Sequence, residues 1–494
     1  MIKSALKLAS GSLLGKFSGF GRELLLAFYY GTGAVASASR ASQTATLVPV
    51  EFFAANTLSS AFLPIYAKLE LQSKESASAF FWAVLVIILA ISVALLVLLR
   101  IYSEEWVNVV APGFSGESRR ATIQLLGIMA VGIPSYMLGN LLSYLAMAKG
   151  DYSLASARAT LQNVGMTAGV LLAWHVHSIA WIGWGFVGAY MVYCCWGIGT
   201  AVRQKWAPLP HCDWRLFSVP LSQFWRGVKP LLLLPVVLQM SVVIERAVAS
   251  LISDSTVASL GYAKLITETG VLLIAMPLGL VGLATMGNMS EQEFVASLKS
   301  VCKPVFLITI PATFILALHS EFIVRVLFEH GSFDESSTTT TSVLLSSMAW
   351  GLWAQVIGYF LVKALSARFR NKEVLLFMSM SLIVQACLNI FLHNYLGPSA
   401  LGVSASVSAV VLFILTARTL SVLGELMRYL SPLLLIAAFH VIIVFVLSTF
   451  GVHSDELLGI LLSFIYWFGC LMLIKDFRAL LMGVFIGFRR KSNG

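Results

Sequence analysis

The sequence predicts an all-helical protein that crosses a membrane about fourteen times, and three observations support this prediction. Hydrophobic residues make up 58% of the 494-residue chain, whereas only 11% are charged. This composition is typical of polytopic membrane proteins rather than of soluble domains. The apolar residues are gathered in long stretches, and most cations flank these stretches. Short motifs also recur between the two halves of the chain, which indicates a repeat.

Each predicted span needs about 20 apolar residues to cross the hydrocarbon core of a bilayer. Stretches of this kind follow one another along the chain, and the second and the eighth are the least apolar. The predicted spans are residues 4–29, 37–66, 77–101, 121–147, 152–175, 178–201, 222–252, 256–285, 302–328, 337–366, 373–394, 399–420, 430–450 and 457–475.

The distribution of cations predicts how the chain is oriented. An even number of spans places both termini on one side of the membrane. With both termini in the cytoplasm, the cytoplasmic loops and ends hold 22 of the 33 Lys and Arg residues. Such an excess is typical of cytoplasmic loops. The net charge of +10 therefore reflects contact with the lipid bilayer, and we expect no nucleic-acid partner.

Short motifs recur at offsets of about 216–222 residues. The stretch GTGAVASASR at 31–40 resembles DSTVASLGYA at 254–263, and EEWVNVVAPGF at 104–114 resembles EFIVRVLFEHGSF at 321–333. Six spans per half give the two halves the same orientation, that is, a parallel repeat. We predict an N-terminal six-helix lobe (1–205), a C-terminal six-helix lobe (206–425), and an extra helix pair with a basic cytoplasmic tail (426–494).

The first predicted span carries several charges within the stretch GKFSGFGREL, residues 15–24. Lys16, Arg22 and Glu23 lie there, although a charge at mid-bilayer costs about 2.5–3.5 kcal/mol on insertion scales. Intramembrane ionisable residues usually serve function, so we expect a hydrated cavity beside this span. The alternative is a structural ion pair that only holds helices together.

Glycines recur every four residues in the same span, at positions 11, 15 and 19. This spacing places them in a stripe along one side of the helix. Small residues in such a stripe let two membrane helices approach closely. We therefore expect this face of the first span to pack tightly on another helix.

The other intramembrane charges are concentrated in the second, fifth, seventh and eighth spans. They favour one shared cavity over several unrelated ion pairs, and their slight excess of cations suits an anionic substrate. Arginine is well matched to phosphate because its planar guanidinium binds two oxygens at once. Together with Lys16, Arg22 and Glu23, the predicted substrate-binding residues are Arg40, Lys264 and Glu268, and the predicted cavity residues include Glu51, Arg158, Glu245 and Arg246.

Arg40 needs a partner from outside its own span. It is separated from Glu51 by three helical turns, about 16 Å, which is too far for a direct ion pair. The sequence offers Glu23 or the substrate itself as the partner.

The sequence contains no Walker A loop, no GxSxG, no HExxH and no cofactor fingerprint. These motifs would indicate ATP hydrolysis, a serine nucleophile, catalytic zinc or a dinucleotide. We therefore expect a protein that is not an enzyme and that has neither a cofactor nor a metal site, and the coupling ion, if one is used, is not identified.

Six motifs resemble the MurJ/MviN family of lipid II flippases in the MOP exporter superfamily, and the resemblance extends over most of the chain. These motifs are GFGREL (19–24) before YGTGAVAS (30–37), LSSAFLPIYAK (58–68), VAPGF (110–114), YAK (262–264) and LFEHGSF (327–333).

The resemblance implies a two-lobed flippase that works by alternating access in the bacterial cytoplasmic (inner) membrane. It would move an undecaprenyl-diphosphate-linked glycan from the cytoplasmic to the periplasmic leaflet. In that family, cations on helices 1, 2 and 8 face the diphosphate. On this sequence they fall on Lys16 and Arg22 in helix 1 and on Lys264 in helix 8, with Glu23 at the family's acidic position.

Two positions in the second span depart from the family's pattern. Ser37, which we include among the predicted cavity residues, stands where the family has an acid. Val50 or Glu51 stands where it has an arginine, and Arg40 lies close enough in the sequence to compensate. A family scaffold with an altered cavity suggests a changed head group.

The sequence therefore leaves more than one function open. The leading hypothesis is a flippase for a lipid II-type precursor of peptidoglycan, with enzymes of cell-envelope synthesis as partners. The alternative is a flippase for an exopolysaccharide or another cell-surface glycan repeat unit. A cation-coupled small-molecule exporter is less favoured because it needs a net acidic cavity, and a membrane glycosyltransferase is less favoured because no loop is long enough for a catalytic domain.

Overall fold

The computed structural model describes residues 2–54, 56–206, 215–228, 233–286, 289–449, 456–475 and 477–478. Within these residues every regular element is a helix and no strand occurs, which confirms the all-helical prediction. Residues 479–494, which hold the end of the predicted basic tail, lie outside the described part.

The first half of the chain contains nine α-helices within the described residues, and a short 3₁₀ turn at Ala130–Gly132 interrupts one predicted span. The helices are α1 (Ile2–Tyr30), α2 (Ala34–Ala54), α3 (Asn56–Gln72), α4 (Lys74–Ile101), α5 (Ser103–Val110), α6 (Gly116–Met129), α7 (Ile133–Ala148), α8 (Ser153–Val176) and α9 (Ala180–Arg203).

The remaining described residues form helices in a similar series. They are α10 (Arg215–Val228), α11 (Leu233–Ile252), α12 (Asp254–Met286), α13 (Glu291–Leu318), α14 (Ser320–Phe328), α15 (Glu335–Ala349), α16 (Leu352–Ala367), α17 (Asn371–Leu396), α18 (Ser399–Thr419), α19 (Leu423–Thr449) and α20 (Glu456–Leu473).

Helix lengths recur along the chain in the order that the motif repeat predicts. Helices α4–α9 have 28, 8, 14, 16, 24 and 24 residues, and helices α13–α18 have 28, 9, 15, 16, 26 and 21. Each helix of the second set begins 217–219 residues after its counterpart. The repeat inferred from short motifs is therefore also present in the secondary structure.

The first helix of each set begins at a serine cap. Ser73 accepts a hydrogen bond from the Ser76 amide at the start of α4, and Ser290 accepts one from the Glu293 amide at the start of α13. Glu293 accepts a hydrogen bond of 2.9 Å from the Ser290 amide in return, which completes a capping box. Each cap satisfies amides that the first turn leaves open and typically contributes about 1 kcal/mol.

Within the described residues, eight helical segments are long and apolar enough to cross a membrane, or nine if the pair α15–α16, bent by 50°, counts as one span. Helices α1, α2 and α8 are long but are not among them, because they carry many small, polar and charged residues. These three helices hold most of the predicted site. The protein is thus polytopic, and the count of fourteen spans stays a prediction.

The chain forms two compact units. The first consists of Met1–Ala258 with His330–Asp334, and the second of Ser259–Glu329 with Glu335–Gly494. In the second unit, helices α13, α16, α18 and α20 contribute Phe306, Leu361, Phe413 and Trp467 to a continuous hydrophobic core. The lobes predicted at 1–205, 206–425 and 426–494 rest on the sequence repeat and stay a prediction.

Helix α1 packs on α8 through the predicted stripe of small residues. A β-carbon on Gly15 would lie 2.7 Å from the Ala159 β-carbon, closer than real β-carbons approach other atoms. The Asn163 side-chain amide donates a hydrogen bond of 2.8 Å to the Gly15 carbonyl across this contact. The close packing expected of the glycines is confirmed for all three positions, with Gly11 on Ser156, Gly15 on Ala159 and Gly19 on Asn163.

Two turns in the first unit contact the ends of α1 and α11 through their backbones. Gly331, with φ of +65°, packs on the Phe28 carbonyl, to which the Ser332 amide donates a hydrogen bond of 2.8 Å. Gly113 packs on the Ser250 backbone, and its amide donates to the Ser250 hydroxyl at 3.1 Å. The glycine turn before α15 thus packs on α1, and the glycine turn before α6 packs on α11.

Candidate functional site

A buried carboxylate joins two arginines between α1 and α2. Glu23 is 2% exposed. Arg22 donates to its Oε1 through Nε at 3.1 Å and also through Nη2. Arg40 donates to the other oxygen, Oε2, through Nη2. Of the two partners predicted for Arg40, Glu23 is the one that the structure shows.

The turn between the helices explains why these residues meet. Gly31 has φ of +56°, a conformation that favours glycine, and α2 begins three residues later at Ala34. Glu23 lies about 10 Å before the end of α1, and Arg40 lies about 9 Å after the start of α2. A sharp turn between the two helices therefore brings both side chains to the same level.

Helix α11 adds a second acid and a third arginine to the group. Glu245 is buried, with 4% exposure. Arg246 donates a hydrogen bond of 2.9 Å to the Val257 carbonyl and lies close enough to Arg40 and Glu23 to interact with them electrostatically. The structure thus brings together Arg22, Glu23, Arg40, Glu245 and Arg246, all predicted from the sequence, and we call them the arginine cluster.

The arginine cluster carries one more cation than acids when all its members are ionised. Taking charges out of water costs several kcal/mol per ion, and buried pairs regain this only with good geometry. An excess cation in such a place is stabilised when an anion binds beside it. The cluster is therefore suited chemically to an anionic group and not to a cation.

The Nη1 group of Arg22 donates to a weak acceptor. This acceptor is the Met166 sulfur on α8, at 3.2 Å. A thioether is a poor acceptor compared with a carboxylate or phosphate oxygen. This donor can move to an incoming oxygen at little cost, while Nε and Nη2 stay on Glu23.

A second polar group lies between α2, α7 and α8. The Tyr136 hydroxyl donates to Glu51 Oε1, and Arg158 Nη1 donates to the Tyr136 oxygen at 3.0 Å. Arg158 Nη1 and Glu51 Oε1 are 3.9 Å apart. Tyr190 packs edge-on against Tyr136, with ring centroids 4.5 Å apart. The side chains of Arg158 and Glu51 are 40% and 28% exposed, whereas both tyrosines are buried.

The two tyrosines are site residues that the sequence reasoning missed. A tyrosine in an apolar span is typical of an ordinary hydrophobic core. The one available signal is that a buried tyrosine hydroxyl usually needs a hydrogen-bond partner. Tyr190 lies within electrostatic range of Arg22, Arg158 and Glu51. The predicted charges therefore form two groups with a tyrosine between them.

Ser37 makes a contact between helices rather than presenting a free hydroxyl. Its side chain is fully buried and donates a hydrogen bond of 2.6 Å to the Asp254 carbonyl at the start of α12. The residue that departs from the family's acid thus joins α2 to α12 within the first unit.

Three further predicted residues are located as follows. Lys16 lies on α1 with an exposed side chain, whereas Glu23, on the same helix, is buried. Lys264 and Glu268 lie one turn apart on α12, in the second unit, where Lys264 is half-buried and Glu268 is exposed. Their roles in substrate binding stay predictions. Among the described residues, no group of three or more His, Cys, Asp or Glu side chains is arranged to hold a metal ion.

Comparison with known proteins gives concordant results. The family model described as "Lipid II flippase MurJ" matches residues 26–485 of this chain. A probable lipid II flippase MurJ of Rhizobium tropici is 25% identical over 449 residues, which cover 84% of this chain and 80% of that relative.

Two solved structures share the fold. A lipid II flippase MurJ in an inward closed conformation matches with a TM-score of 0.81 and 19% identity, over 97% of this chain and 99% of that chain. A multidrug resistance MATE family transporter of the MOP superfamily, in an inward-facing conformation, matches with a TM-score of 0.69 and 15% identity, over 84% of this chain and 95% of that chain. At these identities the likeness is evidence of the fold alone.

Proposed function

Since the chain belongs to the MurJ family of lipid II flippases, we propose that it moves lipid II from the cytoplasmic to the periplasmic leaflet by alternating access. The protein is a transporter of the inner membrane rather than an enzyme. The finer features belong to the proposal: an undecaprenyl diphosphate carrier, both termini in the cytoplasm, and synthesis enzymes of the cell envelope as partners.

The observation that carries the proposal is the pair of arginines held on one buried carboxylate. Glu23 fixes the guanidinium planes of Arg22 and Arg40 from opposite oxygens. Such fixed planes lose little conformational freedom when they bind a diphosphate, whose oxygens match the guanidinium fork. We assign the diphosphate to this cluster.

The Nη1 donor of Arg22, which has only a thioether as its acceptor, gives the substrate a direct point of attachment. In the present arrangement Nη1 faces the Met166 sulfur at 3.2 Å. A phosphate oxygen in the same direction replaces a weak acceptor with a charged one, which strengthens the hydrogen bond. Glu23 remains in place as the anchor, so binding requires no rearrangement of α1 against α2.

The cluster also argues against a small-cation exporter, although MATE transporters share the fold. Cation exporters need acids in excess where the substrate binds. Here three arginines accompany two glutamates within the first unit.

A second candidate substrate is another lipid-linked glycan of the cell surface. The observation that favours it is Glu51, an acid where the family resemblance implies an arginine, held with Arg158 and Tyr136. Carboxylate, guanidinium and phenol groups together are suited to sugar hydroxyls as well as to peptide amides.

Depletion of the protein in its own host tests the proposal. We expect undecaprenyl-linked lipid II to accumulate in the cytoplasmic leaflet, as measured by extraction and by protection from an externally added lipid II-cleaving enzyme. Accumulation of a different lipid-linked glycan, with normal lipid II turnover, would assign the second candidate instead.

A further inference from the structure

Four polar or amphipathic side chains form a buried group in the second unit, outside the candidate site. His319 follows the last residue of α13, His440 lies on α19, and Ser463 and Trp467 lie on α20. Their exposed fractions are 4%, 1%, 2% and 2%. Nothing in the proposed transport of a diphosphate uses these residues.

The hydrogen bonds of this group form a chain in which each side chain donates to the next, from Trp467 to His319. Trp467 Nε1, which can only donate, lies 3.1 Å from His440 Nδ1. Neutral His440 therefore carries its proton on Nε2 and donates it to the Ser463 oxygen, 2.9 Å away. The Ser463 hydroxyl is then free to donate to His319 Nε2 at 2.7 Å. The chain of donors ends on a basic nitrogen of His319.

A small cavity borders the same side chains. It has a volume of about 30 Å³ and is lined by His319, His440, Ser463 and Tyr466, together with apolar residues of α19 and α20. A polar cavity needs roughly 10–15 Å³ to hold one water molecule. The cavity is therefore large enough to hold a water molecule beside the buried imidazoles.

Titratable groups near the two histidines lie on α20 and α14. On α20, Tyr466 stacks on the His440 ring with centroids 5.1 Å apart, and Cys470 lies near the Tyr466 hydroxyl. On α14, Glu321 follows His319 by two residues and pairs with Arg325 at 2.8 Å. The Tyr466 hydroxyl donates to the Ile436 carbonyl on α19 at 2.7 Å.

We propose that His319, Ser463 and His440 form a proton-binding site that takes up one proton from the water in this cavity during the transport cycle. The proton binds to His319 Nε2. The Ser463 hydroxyl, which had donated to that nitrogen, rotates and accepts from it instead. A second proton on His440 is opposed because two imidazolium ions within about 6 Å repel each other.

The location gives the proton a mechanical effect. Ser463 and Trp467 attach α20 to α13 and α19 through these bonds, and most of the rest of α20 is apolar surface. Reversing the Ser463 hydroxyl changes how α20 is attached. Proton uptake therefore couples pH to the position of α20.

Nitrogen NMR of ¹⁵N-histidine-labelled full-length protein in lipid nanodiscs counts the protons directly. The pH is varied between about 8 and 5, on both sides of the ordinary imidazole pKa of about 6.5. The resonances missing from His319→Gln and from His440→Gln identify the pair. His393→Gln, which removes an exposed imidazole on α17, is the matched control.

We expect His440 to be protonated on Nε2 and His319 on Nδ1 at pH 8, and the pair to gain one proton per chain at pH 5. A gain of two protons, or of none, would overturn the proposal. If either glutamine variant fails to fold, Trp467→Phe identifies His440 instead, because its Nδ1 loses a hydrogen bond.

A transport measurement tests the coupling and rests on the proposed function. In proteoliposomes containing lipid II, we expect flipping by the wild type and by His393→Gln to depend on pH, and flipping by His319→Gln to lose that dependence. Unchanged pH dependence in His319→Gln would overturn the coupling. Absence of lipid II flipping by the wild type would instead refute the proposed function, and the proton count would still stand.

Discussion

Arg40 on α2 and Glu23 on α1 form an ion pair inside the first unit, and each has only a few per cent to about a tenth of its side chain exposed. The second oxygen of the same carboxylate is held by Arg22. The carboxylate of Glu23 thus holds the two guanidinium groups close together in a buried place. Without it, their mutual repulsion would drive them apart. Substitutions of Arg22, Glu23 and Arg40 can therefore test the role of each residue separately.

Replacing Arg22 by lysine should lower the flipping rate roughly tenfold to hundredfold, which corresponds to the loss of one charge-assisted hydrogen bond of about 1.5–3 kcal/mol. Lysine keeps the charge but has no planar fork. Flipping in proteoliposomes measures the effect, with Arg203→Lys at the exposed end of α9 as the control. Near-wild-type growth supported by Arg22→Ala at matched expression would refute the role.

Replacing Glu23 by glutamine should destabilise the protein by about 3–5 kcal/mol, because two buried guanidinium groups lose their shared counter-charge. The thermal unfolding midpoint in detergent measures the loss. Glu321→Gln, which breaks an exposed pair with Arg325, should cost less than about 1 kcal/mol. The double variant Glu23→Gln/Arg40→Gln should be more stable than Glu23→Gln alone, and a less stable double variant would contradict this account.

Gly15→Ala should destabilise the contact between α1 and α8 by about 1–3 kcal/mol, since the added methyl overlaps the Ala159 methyl. Gly21→Ala on the same helix is the matched control because nothing lies within 4 Å of its new β-carbon. There alanine should stabilise the helix by up to about 1 kcal/mol. Ala159→Gly should restore the stability of Gly15→Ala, and equal unfolding midpoints for Gly15→Ala and Gly21→Ala would rule out tight packing.

Glu51→Arg alone should reduce the yield of folded protein, because it places a cation beside Arg158 and removes the acceptor of the Tyr136 hydroxyl. The exchange Glu51→Arg/Arg158→Glu keeps one charge of each sign and should recover most of the yield. Size-exclusion chromatography of matched membrane preparations measures both. A fully folded Glu51→Arg variant would mean that the pair does not hold α2 to α8.

The unmodified protein should support growth of a cell that lacks its own lipid II flippase. Ser37→Asp should weaken that rescue, although it restores the acid that the family resemblance implies, because the carboxylate would face the Asp254 carbonyl that Ser37 now binds. Growth under depletion of the host flippase measures both. Failure of the wild type, with the protein present in the membrane at normal levels, would favour the other lipid-linked glycans.

Local patterns predicted much of α1 correctly. The four-residue spacing of its glycines determines which face meets α8, and the charges in GKFSGFGREL are too costly in lipid to be left without partners. Helix geometry excluded Glu51 as the partner of Arg40, because it is too distant along α2, and left Glu23 or the substrate; the structure shows Glu23. These inferences succeeded because each depends on one helix and its nearest neighbour.

The tyrosines and the histidine pair could not be predicted in the same way. Tyr136 meets Glu51 across 85 residues of sequence, and His319 meets Ser463 across 144. Such contacts depend on how distant helices pack. A tyrosine does not stand out within an apolar span, and a histidine there indicates a site without identifying its partner. The count of fourteen spans stays a prediction. Among the described residues, α1, α2 and α8 are less apolar than a typical span because they carry the polar side chains that the site requires.

The contact between Gly331 and the Phe28 carbonyl also sets an order of events during synthesis. The two residues are about 300 positions apart, and a ribosome adding about 5–20 residues per second needs about 15–60 s to cover that distance. Throughout this interval α1 can already pack on α2 and α8, while the turn that receives its C-terminal end has not yet been made. The end of α1 is therefore secured much later than its middle, only after much of the second half of the protein has been translated.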